Sequence, residues 1–156
     1  MSTVYNDFVI RFANVNGSGS ASANGMFAKA LFRMGIPVST RNIFPSNIQG
    51  LPTWFEVRVN ERGYLGRREG VDIMVAMNAE TYAEDIASLK PGGYLIFDNS
   101  KPLAPALRRH DVHELGIPLA NLLHSEFDDI KQRGLFKNIT YLGALAELLG
   151  IEFDVI

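Results

Sequence analysis

A chain of 156 residues with 47% hydrophobic and 21% charged content suffices for one globular domain with its own core. Its formal net charge of −2 supplies no field for nucleic acid or an anionic membrane, so neither is expected as a partner. The absence of cysteine excludes disulfides, thiolate metal sites, a cysteine nucleophile and a cysteine-ligated iron–sulfur cluster within the chain.

The opening Met1-Ser2-Thr3-Val4-Tyr5-Asn6-Asp7 has neither the basic nor the apolar part of a signal peptide. No apolar run is long enough to cross a bilayer, and a cytoplasmic protein is expected. Phe8 to Ala13 is β-branched and aromatic and reads as a strand. Asn14-Val15-Asn16-Gly17-Ser18-Gly19 reads as a tight turn, and Ser20 to Leu31 as a helix with an apolar stripe at Ala23, Phe27, Ala30 and Leu31. A glycine turn between a strand and a helix aims free N–H groups at one spot, where the helix dipole also favours negative charge; this is an anion site, most simply a phosphate site.

Gly35 is placed to end that helix, with Pro37 close behind. A short second strand runs from Val38 to about Asn42 and carries Arg41 where a NAD site would need an acid. The turn reads G-x-G-x-x-S from Gly17 to Ser22, so the third glycine of the dinucleotide fingerprint is missing. Either the turn is an empty βα connection, or it holds a ligand whose extra phosphate meets Arg41. Ile43 to Pro52 is a loop rich in Pro, Asn, Ser and Gly, long enough to be functional.

Thr53 to Asn60 alternates Phe55, Val57 and Val59 against Trp54, Glu56 and Arg58, the pattern of a half-buried antiparallel strand. Glu61-Arg62-Gly63 turns the chain toward a short return strand at Tyr64-Leu65-Gly66, which would make the sheet mixed. Val71 to Met77 and Tyr94 to Asp98 read as strands buried on both faces, joined by a helix from Thr81 to Leu89 that Lys90-Pro91-Gly92-Gly93 ends. Residues 101–111 form an irregular connection or short helix, and Val112 to Ile117 one more strand. Two helices follow, Leu119 to Arg133 and Leu135 to Leu149, separated at Gly134 and stopped by Gly150. Ile151 to Ile156 is a strand-like apolar run.

The remaining chemistry is sparse. His110 and His113 are three apart without a metal-site pattern around them, and no serine sits in a G-x-S-x-G elbow. Lys29 lies too far along its helix to serve as a P-loop lysine. Arg58, Arg62, Arg67 and Arg68 form either a solvated face or a rim for an acidic partner or phosphate. No complete active site is present, as in a domain that supplies part of a larger enzyme.

Three blocks carry a family resemblance. The first is the turn at Asn14–Gly19 with the helix end Ala28-Lys29-Ala30-Leu31-Phe32-Arg33-Met34-Gly35; the second is Pro45-Ser46-Asn47-Ile48-Gln49-Gly50 with the strand through Val57-Arg58-Val59; the third is Lys137-Asn138-Ile139-Thr140-Tyr141-Leu142-Gly143-Ala144-Leu145. Together they resemble the γ subunit, or γ domain, of the 2-oxoacid:ferredoxin oxidoreductases (pyruvate/ketoisovalerate oxidoreductase catalytic domain). Gly17 and Gly19 match the family's G-x-G-G-x-G turn, while Asn14 and Asn16 stand where glycines are usual. The second block is most similar to members in which γ and α domains are fused.

The resemblance implies a three-layer α/β/α domain with a mixed, largely parallel sheet, spanning residues 1–156 and leaving open a longer γ–α chain of which it is the N-terminal part. It implies oxidative decarboxylation of a 2-oxoacid to acyl-CoA, with electrons passed to ferredoxin. Thiamine diphosphate, Mg and iron–sulfur clusters are expected only in the partner α and β subunits or domains, with ferredoxin a partner indirectly. The γ domain would contribute the coenzyme A side of the site and be inactive alone. Candidate coenzyme A contacts are Asn16, Gly17, Ser18, Gly19, Ser20, Arg41, Ser46, Asn47 and Gly50. The alternatives are a free-standing NADP or nucleotide-binding module and a non-catalytic structural subunit.

Overall fold

The structure, a computed structural model, describes residues 6–44, 48 and 50–151. Six strands, β1 (Asp7–Val15), β2 (Val38–Ile43), β3 (Pro52–Asn60), β4 (Val71–Ala76), β5 (Leu89–Asp98) and β6 (His113–Ile117), form one sheet in the order β2-β3-β1-β4-β5-β6. Among the described residues the α-helices are α1 (Ser20–Arg33), α2 (Tyr82–Ser88), α3 (Leu119–Glu126) and α4 (Ile130–Leu149), with short 3-10 turns at Ala79–Thr81 and Pro105–Leu107. The pairings β1·β4, β4·β5 and β5·β6 are parallel, whereas β3 is antiparallel to both β1 and β2. The sheet is thus mixed and largely parallel, layered between helices on both faces, as the resemblance implies.

The core divides by strand parity. Ile10, Phe12, Val57, Val59, Ile73 and Val75 meet Phe27 and Leu31 of α1 and Tyr141, Leu142 and Leu145 of α4 on one face. Val71, Met74, Ala76, Leu95 and Phe97 meet Ile86 of α2 on the other. The first strand is central because its side chains are apolar toward both layers, and it finds partners on both edges.

Several elements differ from the sequence expectation. The mixed character comes from β3 lying between β1 and β2, not from a return strand: Tyr64-Leu65-Gly66 is irregular. β3 is buried almost throughout, since its polar side chains pair with charges on neighbouring strands instead of facing water. Lys90-Pro91-Gly92-Gly93 belongs to β5, where the register with β4 shifts between Val71 and Ile73. Gly134 sits inside α4; the break falls at residues 127–129, where the Asp129 side chain accepts from Lys131 N and starts the new helix. Gly35 and Gly150 stand with positive φ at the ends of α1 and α4, as expected of helix stops. The apolar run after Ile151 lies outside the described residues.

One buried carboxyl on the α2 face gives a stability prediction. Trp54 Nε1 donates to Asp85 Oδ1 at 2.7 Å and Thr81 Oγ1 to Oδ2 at 2.7 Å. Burial pushes the Asp85 carboxyl up, and the hydrogen bonds from Thr81 and Trp54 oppose it only in part. A carboxyl whose pKa is raised by folding favours the native state at low pH and loses that advantage as pH rises through the folded pKa. Asp85→Asn keeps the acceptor for Trp54 and removes the charge. The Thr81 hydroxyl can turn to Asn78 O, 3.2 Å away, and accept from the new amide. The variant should melt no lower than the parent at pH 7, and a fall in Tm there would contradict this account.

Candidate functional site at the turn after the first strand

The sheet has its topological switch between β1 and β4: α1 leads from β1 toward the β2 edge on one face, and α2 leads from β4 toward the β6 edge on the other. Open α/β sheets bind ligands at the carboxyl ends of strands around such a point. Here those ends are the glycine turn and Met77-Asn78.

Gly17 and Gly19 have φ of 85° and 76°, a region that L side chains rarely enter, which explains glycine at both positions. Gly19 is the N-cap of α1, with no side-chain cap and no acidic residue in the first turn. The first N–H groups of α1 therefore lack the partners most helix starts supply from within. Ser18 Oγ donates to Ser20 Oγ at 3.1 Å.

The turn is braced from two sides. From α4, Asn138 Nδ2 donates to Ser18 O at 3.1 Å, and the Tyr141 hydroxyl donates to Asn24 Oδ1 at 2.9 Å. From the connection between β2 and β3, Asn16 N donates to Leu51 O at 2.8 Å, Gly50 N to Asn16 O at 3.0 Å and Asn16 Nδ2 to Ile48 O at 3.2 Å. Burial raises the Tyr141 hydroxyl far above its ordinary pKa, with the Asn14 and Asn24 amides opposing, so it stays a neutral donor.

Over the turn lies a cavity of about 380 Å³. Gly17, Gly19 and Ser20 border it on one side, and Asn42, Phe44, Thr53 and Phe55 of the β2–β3 arm on the other, with Asn14 and Asn24 also in its lining. The structure therefore brings together Asn16, Gly17, Ser18, Gly19 and Ser20, and sets Gly50 against them through Asn16. Ser46 and Asn47 lie outside the described residues.

Arg41 is not brought there. It projects from the opposite face of β2, and β3 separates that strand from β1. Its guanidinium holds Glu56 at 2.8 Å, and Arg11 holds the same carboxylate at 2.7 Å. Arg58 and Arg68 are likewise committed, to Asp7 and to Asp7 with Asp72.

A second hollow lies on the far side of Met77, at the polar end of the strand through Asp98, and nothing in the sequence signals that Asn121 and Lys137 join it. Two cavities of about 470 and 640 Å³ share Asp98, Asn121 and Lys137 in their walls. Lys137 Nζ donates to Met77 O at 3.2 Å; burial lowers its pKa, with the Asp98 charge opposing. The start of α3 here is already capped, with Ala120 N donating to Asp98 and Asn121 N to Ser100 Oγ. It offers anions less than the start of α1. Of the histidines, His113 stacks on Tyr94 at 4.6 Å and His124 meets Arg133. No group of three or more His, Cys, Asp or Glu among the described residues is placed to hold a metal. No helix among those residues is long and apolar enough to cross a membrane.

The model of a family described as pyruvate ferredoxin/flavodoxin oxidoreductase matches residues 9–156. The chain is 26% identical over 144 residues to the α subunit of 2-oxoacid:ferredoxin oxidoreductase 2 of Aeropyrum pernix, covering 92% of this chain and 22% of that one. A 2-oxoglutarate:ferredoxin oxidoreductase of Magnetococcus marinus, solved with 2-oxoglutarate, coenzyme A and succinyl-CoA bound, superposes with a TM-score of 0.82 at 28% identity, over 96% of this chain and 26% of that chain. The γ subunit of a keto/oxoacid ferredoxin oxidoreductase of Geobacter sulfurreducens has the same fold, with a TM-score of 0.72 at 23% identity over 95% and 81% of the two chains. The chain thus spans about a quarter or less of the first two relatives and about four-fifths of the third.

Proposed function

Since the chain belongs to the pyruvate ferredoxin/flavodoxin oxidoreductase family, we propose that it is the γ-type component of a 2-oxoacid:ferredoxin oxidoreductase. In that role it contributes to the coenzyme A side of the site. The observation that carries the reading is the start of α1, whose N–H groups have no side-chain cap and no acid nearby and border a cavity of about 380 Å³. Such a start suits a phosphate or another anionic oxygen. The reading is supported by the Magnetococcus marinus relative, in which coenzyme A is bound.

Under this reading the complete enzyme decarboxylates a 2-oxoacid oxidatively, transfers the acyl group to coenzyme A and sends electrons to ferredoxin. Thiamine diphosphate, Mg and the iron–sulfur clusters belong to partner subunits or domains, and supply the carbanion and electron-transfer chemistry there. This chain's part is to hold coenzyme A. The turn lends backbone donors, α4 fixes the turn through Asn138, and the β2–β3 arm walls the cavity.

Ala21→Glu tests this in the assembled enzyme. Ala21 is exposed, lines the cavity and lies in the first turn of α1. A carboxylate there complements the helix dipole, so stability should hold or rise by about 0.3–1 kcal/mol. The same charge repels an incoming anion, and coenzyme A affinity should fall about tenfold or more. Unchanged affinity, read by titration, would remove the turn from the site.

Purified alone, the chain should reduce no viologen acceptor with any 2-oxoacid and coenzyme A, because it has no cysteine to ligate a cluster. Turnover by the isolated chain would overturn the division of labour proposed here.

A further inference from the structure

We infer that Asn14 selects the ligand through an uncharged acceptor, and that the cavity over the turn receives a flat, neutral part of that ligand rather than its extra phosphate. The inference rests on the coenzyme A reading above and deepens it.

Three observations converge. First, Asn14 is 5% exposed, lines the cavity, and its Nδ2 closes no hydrogen bond of normal geometry. One of the two amide N–H groups lies toward the Tyr141 oxygen, near enough to oppose the upward shift of its pKa but outside normal hydrogen-bond geometry, while the phenol's own proton goes to Asn24; the other N–H has no acceptor in the protein. A buried N–H donor without an acceptor costs free energy unless a ligand or water completes it.

Second, the described residues of the lining carry no formal charge. The cations of this part of the sheet, Arg11, Arg41 and Arg58, are on the opposite face and paired with Glu56 and Asp7. The partition follows from strand parity. Asn14, Asn42 and Thr53 point with Phe12 and Phe55 toward the α1–α4 layer, while Arg11, Arg41 and Glu56 point away. The backbone donors at the start of α1 suit singly charged oxygens such as those of the pyrophosphate at the cavity rim, whereas a dianionic terminal phosphate inside the cavity would find no side-chain cation.

Third, Phe44 and Phe55 supply apolar wall on the side facing the glycine turn. Aromatic walls with a few placed amides suit a flat group bearing a carbonyl or ring-nitrogen acceptor. Coenzyme A carries that chemistry in two places, the adenine ring and the amides of the pantetheine arm.

The assembled enzyme tests this with coenzyme A as ligand, and with adenosine and pantetheine as competing probes. Asn14→Asp replaces the donor by an anionic acceptor of the same shape. It should weaken coenzyme A about tenfold at pH 8, with affinity recovering toward pH 5 as the new carboxyl takes a proton and donates again. Asn14→Ser, which keeps a donor, should lose less. Whichever of adenosine or pantetheine loses its competition in Asn14→Asp identifies the part received. The preference for coenzyme A over its dephospho form should be the same in Arg41→Ala as in the parent. Thermal melting of each variant separates loss of binding from loss of fold.

Asn14→Asp binding like the parent, with Ala21→Glu weakened, would overturn the inference and leave the coenzyme A reading standing. If neither variant changed affinity, both would fall.

Discussion

Phe12→Ala is expected to lower the unfolding free energy by about 3–5 kcal/mol, the range for deleting a buried aromatic ring. Phe12 is fully buried at the centre of the sheet, where its ring meets Phe27 of α1 at 5.9 Å, Tyr141 of α4 at 6.0 Å and Phe55 of β3 at 6.3 Å. No single neighbour can fill the void, because each is fixed by a different element. Domains of this size are stable by only about 5–15 kcal/mol, so one substitution would remove a large share. Urea denaturation of the parent and variant measures it; a loss under about 1 kcal/mol would mean that the helical layer collapses onto the gap. Asn14 lies two residues further along the same face, so the variant's cavity should loosen together with its core.

Glu56→Ala should be the costliest change among the charged residues, at about 2–3 kcal/mol near neutral pH. Removing one member of a buried ion pair costs about 3–5 kcal/mol. The lower figure reflects solvent at the two arginines, whose side chains are 23% and 39% exposed against 7% for Glu56. Burial alone would raise the Glu56 carboxyl; hydrogen bonds from Arg41 and Arg11, together with their charges, outweigh it and leave the pKa below the ordinary 4.5. A carboxylate held below its unfolded pKa contributes stability above that value, and the contribution disappears as pH falls through the folded pKa. The parent and Glu56→Ala should therefore differ most near pH 7 and converge below about pH 4.5. Parallel stability curves down to pH 2 would show that the triad contributes nothing through ionisation.

Local signals read well in this sequence. Ala23, Phe27, Ala30 and Leu31 follow helical spacing and are all buried, and the glycine turn is visible because positive φ leaves few other residues to choose from. What could not be read depends on neighbours distant in the chain. The alternation of Trp54, Glu56 and Arg58 with Phe55, Val57 and Val59 looks like one wet face, until Arg11 and Arg41 from flanking strands close over Glu56. In the last helix, apolar residues at Ile139, Leu142, Leu145, Ala146 and Leu149 suggest one core stripe, yet Ile139 is exposed while Asn138 and Tyr141 are buried. Both are there for polar contacts to the turn and to Asn24, which hydrophobic periodicity cannot register. Arg41 was legible in part: Val38 faces the α1 layer, and counting by twos from it places Thr40 and Asn42 there and Arg41 away.

The central place of β1 has a consequence for the order in which the molecule can be built. Ile10 pairs with Val57 on one side and with Ile73 on the other, so β1, the earliest of these six strands in chain order, has no edge covered until β3 is made, and only one until β4 is. Through that interval an apolar strand is open to pairing with any chain nearby, the exposure that makes non-local sheets slow and prone to aggregate. The helix that braces the turn comes later still, since Asn138 and Tyr141 are separated from their partners by more than a hundred residues. The turn beneath the cavity is therefore braced late, and a chain stalled before α4 would carry the glycine motif without the contacts from Asn138 and Tyr141 that hold it.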